Sequence, residues 1–196
     1  MLDELAPDVY RWTARHPAWE PDPEPESPGD WPPDVGCVAY AAPGALVLVD
    51  PLVAEWDELD ALVERHGRPV AVLTTMRFHG RSRAEAAERY GAALASHRDE
   101  PPAGVRRVPI EGADETMVWL EEPRVLIPGD RLLGDGRGGL RMCPQSWLGY
   151  LPDKPAVADL RAALRPLLDL PVERVLVSHG EPVLRDGREA IRAALA

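Results

Sequence analysis

Apolar residues recur along the chain in two rhythms, and the alternation between them predicts its elements. VYRWTA alternates as a short strand, and VGCVAYAA and ALVLVD read as two more strands joined by a turn at Pro43 and Gly44. In EWDELDALVERHG, Trp56, Leu59, Leu62 and Val63 share one helical face, and Gly67 supplies a left-handed stop. VAVLTT is apolar throughout, as expected of a strand covered on both faces. Ser82 to Glu85, SRAE, reads as a capping box that opens the helix SRAEAAERYG. AALASH, VRRVPI, TMVWL and RVLIP follow as strands with short connections, in the manner of a meander. AVADLRAALRPLLDL reads as a long helix that Pro166 ends or kinks, RVLVSH as a strand, and GREAIRAALA as a closing helix. Strands dominate early and need cover on both faces, so the pattern predicts a layered α/β sandwich, with residues 1–196 as one domain.

One segment breaks both rhythms. HPAWEPDPEPESPGDWPPD, residues 16–34, holds seven prolines and six acids and almost no aliphatic side chain, so it is expected to stay out of the packed core. It reads as a solvated loop; the sharper alternative is that Trp19 and Trp31 let it fold over a pocket as a flap, or serve a homodimer interface.

Composition narrows the function classes. The 196 residues suffice to bury roughly 70% of the unfolded chain's surface without disulfides. Cys37 and Cys143 are far apart and form no C-x-x-C pair, which argues against a thiolate metal site and fits a reducing cytoplasm. The first residues carry no export signal pattern, and no apolar run approaches a membrane span. Of the net charge of −11, nearly all resides early: residues 1–60 hold 14 acids and 2 bases, residues 61–196 hold 19 and 20. An acidic first third and the absence of a basic stripe argue against nucleic acid, but leave room for a small anionic ligand.

Four apolar runs end in a residue able to ligate or to carry protons: ALVLVD at Asp50, VAVLTTMRFH at His79, RVLIPGD at Asp130 and RVLVSH at His179. Each alone has a plain structural explanation. Their recurrence is more informative, because α/β folds gather ligands beyond the carboxyl ends of strands. Other candidates are weaker. GDGRGG, residues 134–139, lacks the ending of a phosphate-binding loop and reads as a turn; Cys37 and Cys143 read as buried structural cysteines; His97 reads as structural, and His16 and His66 as exposed. Glu181 reads as solvated.

At these strand ends the chain resembles the metallo-beta-lactamase-fold superfamily, from about VYRW to about GEPV. VLVDP is similar to that family's Asp-containing strand end, TTMRFHGRSRAE to its first metal-binding segment and helix, RVLIPGD to its Gly-Asp strand end, and VLVSHGEP to the segment of its last histidine ligand. The resemblance implies a four-layer αββα sandwich with its site at one edge of the sheets. It also implies losses. The family's His-x-His-x-Asp-His, aligned on His79, places Thr74, Met76 and Phe78 where three ligands would stand, and EGADETMVWL lacks a further histidine. What survives, His79, Asp130 and His179, belongs by this resemblance to the second metal position.

Two imidazoles and a carboxylate can hold one ion, zinc with an open position or non-haem iron. Such an ion lowers the pKa of coordinated water toward ~7 and serves hydrolysis. The expectation is therefore a hydrolase-like protein whose depleted centre holds at most one metal, acting on a small ester, thioester or phosphoester, with Arg81 orienting an anionic group. Against the ion stand Arg77, Arg81 and Arg83, three cations beside His79. The alternative is a non-catalytic protein that holds no metal and binds a small anion or a protein partner, with Arg81 near a helix N-terminus.

Overall fold

The computed structural model of the chain describes residues 1–92 and 100–196. His97 and all of the expected strand AALASH except Ala92 lie outside the described residues. In chain order the first elements are β1 (Asp3–Ala6), β2 (Val9–Arg15), β3 (Asp34–Ala42), β4 (Ala45–Val49), α1 (Asp57–His66) and β5 (Val70–Leu73). A 3-10 turn at Arg77–Gly80 leads into α2 (Arg83–Tyr90). Then come β6 (Val105–Ile110), β7 (Glu115–Leu120), β8 (Val125–Ile127), β9 (Leu132–Gly134), β10 (Leu140–Met142) and the short α3 (Gln145–Leu148). The chain closes with α4 (Val157–Leu164), a 3-10 turn at Arg165–Asp169, β11 (Arg174–Val175) and α5 (Gly187–Ala194).

The strands form two mixed sheets. One has the order β1-β2-β3-β4-β5, antiparallel up to β4 and parallel between β4 and β5, where α1 provides the crossover that a parallel pair requires. The other has the order β11-β8-β7-β6, with β11 parallel to β8; β9 and β10 form a separate hairpin. Strand alternation then builds four layers. Val38 and Tyr40 of β3 and Val47 and Val49 of β4 face Val118 and Leu120 of β7 and form the core between the sheets. Cys37, Ala39, Leu46 and Leu48 point the other way, onto Leu59 and Leu62 of α1 and Ala86 of α2. Met117 and Trp119 likewise leave the second sheet outward to meet Leu160 and Leu164 of α4 and Ile191 of α5. Both faces of β4 are thus covered, which is why ALVLV is apolar without alternation. The result is the layered α/β sandwich that the pattern implied, in the αββα order that the resemblance implied.

Several local expectations need amendment. Gly67 and Gly91 close α1 and α2 in the left-handed conformation, and Pro166, which has no N–H to give, stands where α4 tightens into a 3-10 turn. The SRAE capping box does not form. The Ser82 hydroxyl accepts from the amide of Val53 at 3.0 Å instead, so it ties the start of α2 to the loop after β4. β1, β9, β10 and α3 were not foreseen, being too short or too mixed for a period to register. Among the described residues no helix is long and apolar enough to cross a membrane.

Candidate metal centre

The four polar strand ends meet at one edge of the sandwich. Asp50 follows β4 directly, in a left-handed conformation (φ 50°) that an Asp tolerates. His79 sits in the 3-10 turn after β5, Asp130 in the loop after β8, and His179 after β11. The last segment is pinned to the first sheet: Gly36 donates its amide to the Ser178 carbonyl at 2.7 Å, and Val35 bridges His179.

A relay of hydrogen bonds joins them. The Asp50 carboxylate accepts from the Thr75 amide (2.8 Å), from the Thr75 hydroxyl (2.6 Å) and from Nδ1 of His79 (2.8 Å). Nε2 of His79 lies 3.1 Å from Oδ1 of Asp130, and Nε2 of His179 lies 3.2 Å from the same oxygen. Burial alone would push the His79 imidazole down, but Asp130 and Asp50 on its two nitrogens outweigh burial and raise it to about 9. Burial works to raise Asp130, and His79 and His179 overcome it and hold this carboxyl well below its ordinary range. His179 is lowered by burial, with Asp130 opposing.

The supporting groups come from residues that sequence reasoning had passed over. Glu115, at the start of β7, is buried and accepts from the amides of Gly129 (3.1 Å), Asp130 (2.8 Å) and Arg131 (3.0 Å), so one carboxylate fixes the loop that carries Asp130. Burial pushes Glu115 up to about 7, with Arg131 opposing. Its only sequence signal was an acid at the head of an apolar strand. Cys143 is buried and free, and burial raises its thiol to about 11, as befits a structural residue.

Arg81 borders the site but is heavily engaged. One terminal nitrogen donates to the carbonyls of Gly36 (3.1 Å) and Asp50 (3.0 Å), the other to the Ser178 hydroxyl (2.6 Å), while Nε is buried without a partner among the described residues. Its backbone is strained, with φ at 34°, and these bonds hold it there. Arg77 is drawn off: it pairs with Asp114 at 3.1 Å and lies over the Phe78 ring.

A cleft of about 260 Å³ opens above His79, Asp130 and His179, and both Arg81 and Arg131 line it. Its walls include Trp31, Trp147, Phe78 and Tyr150, the last two 55% and 62% exposed. The acidic arm of residues 16–34 is therefore more than a solvated loop. Trp31 packs against the core of the second sheet and meets the His179 ring edge-on at 5.4 Å. Trp19 donates to the Trp31 carbonyl (2.9 Å), Trp147 donates to the Ser27 carbonyl (3.0 Å), and the Ser146 hydroxyl donates to the Glu26 carbonyl. His16 and His66, expected to be exposed, are half-buried; His16 lines the cleft against Trp31.

The donor set fits one ion. One ligand atom from each of His79, Asp130 and His179 lies within 4.8 Å of the other two, and Nε2 of both histidines faces the same Asp130 oxygen. The two nearest separations, 3.1 and 3.2 Å, approach the edge of about 3.4 Å that bonds of ~2.1 Å make in a tetrahedron. Asp50 occupies Nδ1 of His79 and so leaves Nε2 for coordination, an arrangement common behind metal-bound histidines. Nδ1 of His179 is buried with no partner among the described residues, and the His179 ring packs against Trp31 and Trp147. The positions aligned with lost ligands are taken by Thr74 and Met76, both buried, and by exposed Phe78.

Comparison with solved structures identifies the fold. DIM-1 metallo-beta-lactamase superposes with a TM-score of 0.62 at 13% identity, over 99% of this chain and 97% of that one. A metallo-beta-lactamase from Erythrobacter litoralis gives 0.61 at 17% identity, over 99% of this chain and 89% of its own. The NDM_FIM-1 like metallo-beta-lactamase of Erythrobacter litoralis, in a mono-zinc form, gives 0.60 at 16% identity, over 100% and 94%. No protein-family model matches the chain, and no curated protein matches it. The chain has the metallo-beta-lactamase fold. Within that fold it carries a reduced group, His79, Asp130 and His179, of a kind that can hold a metal ion.

Proposed function

We propose that the protein is a hydrolase-like member of this fold with a depleted centre, in which His79, Asp130 and His179 hold a single metal ion. The observation that carries the reading is the convergence of three donor atoms from three separate strand ends, with the far nitrogen of His79 already committed to Asp50. The mono-zinc form of the Erythrobacter litoralis structure is a precedent for one ion in this fold. When bound, zinc or iron(II) supplies Lewis acidity and lowers the pKa of water toward ~7. The chain's own residues do the rest: Asp50 orients His79, Glu115 orients Asp130, the aromatic walls keep bulk water from the floor, and Arg81 contributes positive potential toward an anionic group. A small ester, thioester or phosphoester suits one ion better than a substrate that needs a two-metal clamp.

The experiment is elemental analysis of untagged protein expressed with zinc, iron or manganese, repeated on His179→Ala and Asp130→Ala. About one ion per chain, lost in both variants with the fold retained, supports the reading. Equal metal content in wild type and variants defeats it.

A second reading has its own support. Without an ion, His79 as an imidazolium is held between Asp50 and Asp130, with a carboxylate on each ring nitrogen and no metal needed to complete the contacts. In that state the protein is a non-catalytic binder of a small anionic ligand. Metal-free protein as isolated, with no gain on supplementation, favours it.

A further inference from the structure

Arg131 follows the central carboxylate Asp130 directly and is itself 2% exposed, yet it lines the cleft. Its Nε donates to the Ala113 carbonyl at 3.0 Å, and its guanidinium also touches the Cys143 thiol, a weak acceptor. It makes no ion pair with any described residue. Glu115 is close enough to feel its charge, but that carboxylate is committed to three backbone amides. A buried guanidinium with so few acceptors is costly unless something completes its fork of donors. Arg81 differs in this respect, since protein acceptors already take both of its terminal nitrogens.

We propose that Arg131 is the anion-recognition residue of the cleft, and that its ligand is a monocarboxylate borne on a single aromatic ring or an apolar body of that size. This deepens the functional reading above by assuming that the cleft is the site. Three observations set the ligand class. A planar carboxylate matches the guanidinium fork in two hydrogen bonds, whereas a phosphate dianion would meet Asp130 on the same floor and the acidic arm at the mouth. The walls Trp31, Trp147, Phe78 and Tyr150 offer ring faces and edges, not hydrogen-bond donors in number. The volume, about 260 Å³, exceeds the ~150 Å³ cavity that takes benzene and falls below the roughly 300–1,000 Å³ of pockets for drug-sized ligands. One ring and its acid fit; a nucleotide does not.

The test uses full-length protein stripped with EDTA, so that its outcome is independent of any metal. Phenylacetate, phenylacetamide, acetate and inorganic phosphate are titrated by calorimetry, with the Arg131 side-chain Nε–H followed by NMR. The expected result is at least tenfold tighter binding of phenylacetate than of each of the other three, with the Arg131 resonance shifting on saturation. Arg131→Lys, which keeps the charge and loses the fork, weakens phenylacetate about tenfold and leaves the amide unchanged. Phe78→Ala, at an exposed position, weakens acid and amide alike. Equal affinity for acid and amide, tighter phosphate, an unmoved Arg131 resonance, or a folded Arg131→Lys with unchanged preference each overturns the proposal. Because Arg131 is buried, a variant that fails to fold is set aside, and the wild-type comparison and resonance decide. Binding without metal content upholds this inference while the hydrolase reading fails; metal content without acid preference does the reverse.

Discussion

The Asp50 carboxylate accepts from Nδ1 of His79 at 2.8 Å, and this contact aims Nε2 of the same ring at Asp130, 3.1 Å away. One buried acid thereby sets both the tautomer and the direction of a candidate ligand. Asp50→Ala removes the acceptor of three hydrogen bonds and leaves His79 unheld. Breaking a buried charged pair from one side costs about 3–5 kcal/mol, so urea denaturation should show a loss of that order. Metal affinity should fall roughly 10- to 100-fold. A variant with wild-type midpoint and wild-type affinity would show that the contact matters to neither.

The pH dependence of metal-free protein follows from His79 and Glu115. Both have pKa values raised in the fold, to about 9 and about 7, so each contributes stability that is full below its unfolded value and lost as pH rises through its folded value. Stability in EDTA should therefore decline in two overlapping steps, from about pH 4.5 to 7 for Glu115 and from about pH 6.5 to 9 for His79. Metal affinity should move the opposite way, rising through pH 9 as the ion ceases to compete with the His79 proton. Denaturation midpoints that climb steadily over this range would contradict the assignment.

Glu115→Gln keeps the shape but replaces one carboxylate oxygen by a donor that faces backbone amides. With Gly129, Asp130 and Arg131 all dependent on that group, a destabilisation of about 1–3 kcal/mol is expected. The thermal midpoint and the metal content should fall together, because the same loop carries Asp130. A drop in stability with full metal loading would separate the two roles.

Gly134 tests the other half of the centre. A Cβ there would come within 2.6 Å of the backbone of Glu181, and the Gly134 amide donates to the His179 carbonyl at 2.9 Å. Gly134→Ala should push the His179 segment away from the hairpin and cost about 1–3 kcal/mol as an overpacked site. The His179 ring resonances should shift in the variant spectrum; an unperturbed ring would mean that the segment yields elsewhere.

How much of this was legible in the sequence depends on how local the cause was. Runs such as ALVLV and VAVL, the stop at Gly67, and the tightening at Pro166 were readable because each rests on a period or a backbone preference carried by neighbouring residues. The strand ends carrying Asp50, His79, Asp130 and His179 were readable for the same reason, whereas Thr74, Met76 and Phe78 drew notice only through the resemblance to a family signature aligned on His79. Ser82 shows the limit: its sequence context fits a cap, but a loop 29 residues away offered the Val53 amide, and that long-range bond prevailed. Only the tertiary structure decided that Asp50 backs His79, that Glu115 holds the Asp130 loop, that Arg81 is taken up by backbone carbonyls, and that the proline-rich arm lays Trp31 against His179. Each of these is a contact between segments distant in the chain, made by charge and shape in a buried place, where no repeating pattern announces it.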